Sequence, residues 1–198
     1  GAMLVFWLSA AMSVLLAGPA APAARPERAA GEARLRANTL PRAAADWRAL
    51  GPGIDEVLIA IVGDAKADLQ LRAHAVSALG VVSTRAGRAY LEAVVKQKAP
   101  STDAGDELLL RKAVLALGWA GGTAVPAQLG PLLEHPDPDV RLDVAIGLGL
   151  TRSEEAADLL RKRFDVETVP KVRRQIGRQL RLIEDAVAEA KRPPPAAP

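Results

Sequence analysis

The stretch RLDVAIGLG, residues 141–149, decides the fold because it recurs. Close copies run over residues 72–80 and 110–118, and a more degenerate one over 173–181. Their closing positions, 80, 118, 149 and 181, are spaced by 38, 31 and 32 residues. Self-similarity at a period of thirty-odd residues marks an array in which each unit covers its neighbour's apolar face.

Working outward, each copy carries apolar or small residues at i, i+4, i+7 and i+8, one face of a 3.6-residue helix. These are Leu71, Ala75, Ala78 and Leu79, then Leu109, Ala113, Ala116 and Leu117, then Val140, Val144, Gly147 and Leu148. The third place is small each time, which makes it a position where a neighbouring helix comes close. In the last copy the places are Val172, Ile176, Gln179 and Leu180, and the small residue is lost. A second helix follows in phase, with Leu91 and Val95, Leu129 and Leu133, and Leu160 and Phe164 eleven and fifteen residues past the closing glycine.

Local chemistry agrees with that register. Asp137-Pro138 sets a capping side chain before a proline at the first helical position. Thr151 with Glu154 reads as a capping box. Gly80, Gly118 and Gly149 are expected at the ends of the first helices, turning the chain in a left-handed conformation. Leu50-Gly51 and Val57, Leu58, Ile61 and Val62 suggest an earlier unit, residues 99–106 an insertion between units, and residues 171–191 one long capping helix. The predicted fold is all-α, a right-handed α-α superhelix of about four helix pairs.

Composition fits. Hydrophobic residues make up 49% of the 198 and aromatic residues only 3%, so the core is built from Ala, Leu and Val, which suits closely packed helices. The chain has no Cys, which excludes disulfides and thiolate metal sites. The net charge of +3 points to an acidic partner only if it is concentrated.

The domain boundaries expected are a leader over 1–23, a linker over 24–39, the repeat domain over 40–191 and a disordered tail over 192–198. Gly1-Ala2 looks like a cloning scar. The run MLVFWLSAAMSVLLA, residues 3–17, is short for a bilayer span, which needs about 20 residues. With Ala21-Pro22-Ala23 behind it, the run reads as a signal peptide. The positive charges Arg25, Arg28, Arg34 and Arg36 follow this run rather than precede it, which runs against the usual orientation rule. Export to the periplasm or beyond is the expectation, with a membrane anchor or a helix docked on the array as alternatives.

The sequence HPDPDVRLDVAIGLG, residues 135–149, followed by a Leu-rich second helix, resembles the short HEAT repeat, the variety also found in phycobilin lyases. Residues 137–164 carry the pattern well, 68–97 moderately, and 106–134 with its arginine shifted to Arg111. The resemblance spans roughly residues 40–185. It implies that Asp139, Arg141, Arg72 and Arg173 link successive turns rather than do chemistry.

Nothing in the sequence calls for catalysis. His74 and His135 are the only histidines, and both are expected at the surface. Glu134-His135 is a single reversed pair, whereas metal-dependent hydroxylases on HEAT-like repeats carry repeated His-Glu pairs. Ser77, Ser83, Ser101 and Ser153 have no partnering His, and the acidic pairs Glu154-Glu155 and Asp103/Asp106 read as helix-start charges. The stretch 120–123 (AGGT) lacks the lysine and preceding strand of a phosphate loop and reads as a turn. No cofactor and no metal are expected.

The function expected is therefore an interaction scaffold with a protein partner. A geometric rule places the binding residues on the second helices opposite their core stripe, at Ala93, Lys96 and Gln97, then Pro131 and Glu134, then Asp158 and Lys162. Residues 161–198 carry ten basic and five acidic side chains, against sixteen and eighteen in residues 1–160. Lys171, Arg174, Arg178 and Arg181 form a basic stripe, which reads either as a docking ridge for an acidic protein, anionic lipid or phosphate backbone or as the solvated face of a capping helix. With no aromatic interleaving, nucleic acid is not the expected partner. A groove holding a small apolar ligand is the leading alternative to the scaffold, and electrostatic docking through the stripe is the second.

Overall fold

Helices of two kinds alternate along the chain. The computed structural model describes residues 23–193. Its helices are α1 (Arg28–Leu35), α2 (Ala44–Arg48), α3 (Ile54–Gly63), α4 (Leu69–Val82), α5 (Arg85–Lys98), α6 (Ala104–Ala120), α7 (Val125–Leu129), α8 (Pro138–Thr151), α9 (Glu154–Val166) and α10 (Pro170–Ala190). A 3-10 segment, Gly130–Glu134, extends α7, where Gly130-Pro131 interrupts the regular α-helical bonding. Among the described residues there is no strand.

The first helices pack side by side in sequence, α2 on α4, α4 on α6, α6 on α8 and α8 on α10. The second helices α3, α5, α7 with its 3-10 extension, and α9 form a layer behind them. Four pairs and a terminal helix result, and one continuous apolar core runs between the layers. The stripes expected from sequence line it. Leu79, Ala113, Val144, Leu91, Leu129 and Leu160 are all fully buried.

The closing glycines do not turn the chain. Gly80, Gly118 and Gly149 lie inside α4, α6 and α8, and left-handed backbone appears instead at Ser83 (φ 55°), Gly121 (φ 70°) and Arg152 (φ 51°). What the glycines provide is close approach. A Cβ on Gly80 would stand 2.7 Å from the Ala116 Cα, and one on Gly118 would stand 2.6 Å from the Gly147 Cα. The closing position of one unit thus meets the small third place of the next, backbone against backbone. At the last junction Gly149 makes room for the larger, buried side chain of Gln179.

Capping follows the sequence with one correction. Asp68, Thr84, Asp103 and Asp137 each accept a backbone N–H at the start of their helix. For α9 that role falls to Ser153, which accepts from the Ala156 N–H, while the Thr151 hydroxyl donates to the Leu148 carbonyl and ends α8. Thr151 is therefore not the capping residue of a box with Glu154.

The expected linker, residues 24–39, is also corrected, because α1 lies within it. Its sequence, RAAGEARL, offers a single large apolar residue, Leu35, but that side chain is fully buried. Arg28 pairs with Asp64 at 2.7 Å, and Gly31 admits Val57. Trp47 of α2 is buried below, its indole N–H donating to the Pro41 carbonyl at 3.1 Å. All but the last residue of the expected leader, residues 1–23, and most of the expected tail lie outside the described residues.

Candidate functional site: the exposed face of the first-helix row

In every copy the residue just after the closing position is apolar, namely Val81, Trp119, Leu150 and Leu182. Val81 is partly buried against the core, and the other three project to the surface. Trp119 is 57% exposed, Leu182 53% and Leu150 39%. One turn earlier stand Ser77, Leu115, Ile146 and Arg178, so the apolar surface is two residues deep on α6 and α8. Between α4, α6 and α8 it dips into a cleft of about 390 Å³, with Ala116 among its lining residues, Trp119 and Leu150 on one side and Arg42 at the mouth. Exposed tryptophan and leucine side by side on a charged chain are the composition of a binding surface.

The signal for this surface in the sequence is four apolar residues at one register position, at the repeat spacing. The residues that the second-helix rule selected are exposed in the structure. Ala93, Lys96 and Gln97 lie on α5, Pro131 and Glu134 on the 3-10 segment, and Asp158 and Lys162 on α9. They form a polar surface on the opposite layer. Two of them are engaged within the chain, Glu134 with Arg163 at 2.8 Å and Asp158 with Arg161 at 2.7 Å. The stripe Lys171, Arg174, Arg178 and Arg181 is exposed on the outward side of α10, and Lys171 is paired with Asp139.

Arginines hold the rows in place. Arg72 donates to the Val62 carbonyl at 2.8 Å, closing the end of α3. Arg141 donates to the His135 and Pro136 carbonyls at 2.8 and 3.0 Å, and its other nitrogens grip both oxygens of Glu167 at 2.9 and 3.0 Å. Arg88 spans the Ala120 and Gly121 carbonyls, each at 2.9 Å. The shifted Arg111 reaches forward to Asp143 at 2.7 Å. Arg173 departs from the linking role, its guanidinium lying 4.3 Å from the centre of the Phe164 ring.

Glu167 is the electrostatic centre of this framework and is only 2% exposed. Burial pushes its carboxyl up, but hydrogen bonds from Arg141, the Val169 N–H and Arg163 outweigh that and hold it at about 2. Asp143 goes the other way, since burial raises it more than the Arg111 pair lowers it.

The histidines are half-buried and bonded rather than solvated. His74 meets the Leu35 carbonyl at 3.0 Å through Nδ1. His135 bonds the Ala99 carbonyl through Nε2 at 3.0 Å, and its Nδ1 accepts the Asp137 N–H at 3.1 Å, a pattern that requires the neutral ring protonated on Nε2. His74 ties α4 to the end of α1, and His135 ties the turn before α8 to the end of α5. Among the described residues, no three His, Asp or Glu side chains converge as a metal site would require.

Stacked helix pairs meeting through small residues, with apolar side chains exposed along one row, define an α-solenoid. Residues 101–181 match the family model of HEAT repeats. No curated protein matches the chain.

Proposed function

We propose that this chain is an interaction scaffold whose first-helix row receives a helical segment of a partner protein, apolar along its centre and acidic at its margins. HEAT repeats commonly serve as protein-interaction scaffolds. The observation that carries the placement is the line Val81, Trp119 and Leu150 along one cleft. Helices in backbone contact lie about 8 Å apart, so three of them present about 16 Å of surface, or about 11 residues of partner helix. Behind them, Leu and Val side chains space the second helices more widely. Arg42, which lines the cleft, has no ion-pair partner among the described residues, and it favours carboxylates on the incoming segment.

The test is affinity capture from the native host with the intact chain and two variants, read by mass spectrometry. Loss of partners with Trp119→Ala and their retention with Lys96→Glu/Lys162→Glu support this face. The reverse result moves the site to the second helices. A second reading, a small apolar ligand, is favoured by the size of the Trp119 cleft, which is within the range of ligand sites. Extra mass on the purified protein in native mass spectrometry would establish it.

The chain is further proposed to be exported or membrane-tethered, on the strength of residues 3–17. Native protein beginning near Ala24 marks cleavage, whereas an intact mass that includes Met3 marks retention.

A further inference from the structure

The first three turns of α10 end the stack with a strongly basic face. Arg174, Arg178 and Arg181 are exposed and have no ion-pair partner among the described residues, and Lys171 beside them reaches Asp139. Together with Arg173 they border a shallow depression against Phe164, where Gly177 leaves space for the ring edge, 3.5 Å from where its Cβ would stand. Two of the most exposed large aliphatic residues bracket this face in sequence, Val166 at 61%, the last residue of α9, and Leu182 at 53% on the fourth turn of α10.

We propose that this end of the solenoid docks on an anionic phospholipid surface, with the arginines on lipid phosphates and Val166 and Leu182 entering the headgroup boundary. Three observations select a bilayer over other polyanions. Among the described residues no other helix roofs this face of α10, so it suits a broad surface rather than a strand held in a groove. Its cations are accompanied by protruding aliphatic side chains, the composition of an interfacial helix. The one aromatic ring in the cluster, Phe164, is covered by Arg173 and is not free to stack on a base. Within α10 acidic residues begin only beyond Arg181, at Glu184 and Asp185, while the exposed Asp165 beside Val166 bounds the contact on the α9 side.

The experiment is co-sedimentation of the full chain with vesicles of phosphatidylcholine alone and of phosphatidylcholine with 30% phosphatidylglycerol. Expected are a preference for the anionic vesicles, loss of that preference at high salt, and a weakening of at least a hundredfold in Arg174→Glu/Arg178→Glu, since each cation at an anionic surface contributes about fivefold. Both positions are exposed, so far-UV circular dichroism should show the fold unchanged. If the double reversal fails to fold, Arg174→Gln/Arg178→Gln takes its place, with a weakening of tenfold or more expected. The apolar leader is intact in every variant, so binding through it alone would be equal on both vesicle types and unmoved by charge reversal; that result overturns the proposal. Tighter binding to duplex DNA or to an acidic polypeptide than to the anionic vesicles overturns it as well.

Discussion

Gly118 of α6 and Gly147 of α8 meet backbone to backbone, and a Cβ on Gly118 would stand 2.5 Å from the Gly147 carbonyl oxygen. Alanine at 118 gains about 1 kcal/mol in helix propensity, but the obstacle is main chain and cannot rotate away. Gly118→Ala is expected to destabilise by about 2 kcal/mol net. Gly177 in α10 is the control, because its Cβ would meet Phe164 at 3.5 Å, an ordinary contact. Gly177→Ala should therefore stabilise by about 0.5–1 kcal/mol. Urea denaturation of both variants checks the opposite signs.

Glu167 sits between Arg141 and Arg163, and its carboxyl is held at about 2 in the folded chain against 4.5 ordinarily. A group with a depressed folded value contributes stability above its unfolded value and loses it as pH falls toward the folded one. Stability should therefore decline between about pH 4.5 and 2, with about 3 kcal/mol at stake. Glu167→Gln leaves two arginines without their carboxylate and should cost about 3–5 kcal/mol at pH 7 while flattening that acid limb. Denaturation curves at several pH values read both effects.

Trp119 is more than half exposed, so Trp119→Ala should leave the melting temperature nearly unchanged. Affinity for the captured partner should fall by tenfold or more, the usual cost of truncating an interface tryptophan. Titration of the identified partner against the two proteins measures the ratio.

Arg152 ends α8 in the left-handed region at φ 51°, where a side chain costs about 1 kcal/mol and glycine does not. Arg152→Gly is expected to stabilise by about 0.5–1 kcal/mol, visible as a small rise in melting temperature.

The residues that misled and those that informed differ in a physical way. Core stripes such as Leu71, Ala75 and Leu79 were legible because burial imposes a helical period on the sequence itself. The glycines at 80, 118 and 149 were legible in position but not in role, since a left-handed cap and a close helix crossing both call for glycine near a helix end. Ser83 and Arg152 took the left-handed turns, and neither residue type advertises that conformation. Helix α1 was hidden because its order comes from partners far along the chain, Asp64 for Arg28 and the core for Leu35. The exposed line through Trp119 was present in the sequence as a register position, but only the structure shows which layer it decorates.

The pairing of each closing position with the next unit's third place also makes the row modular. Gly80 takes Ala116, Gly118 takes Gly147 and Gly149 takes Gln179, whereas the closing position of α10 is the exposed Arg181. A second copy of residues 119–149 spliced in after Gly149 brings both halves of the junction with it and should lengthen the row by one helix. The same segment appended after α10 would meet an arginine where a glycine is needed, and should hang unfolded.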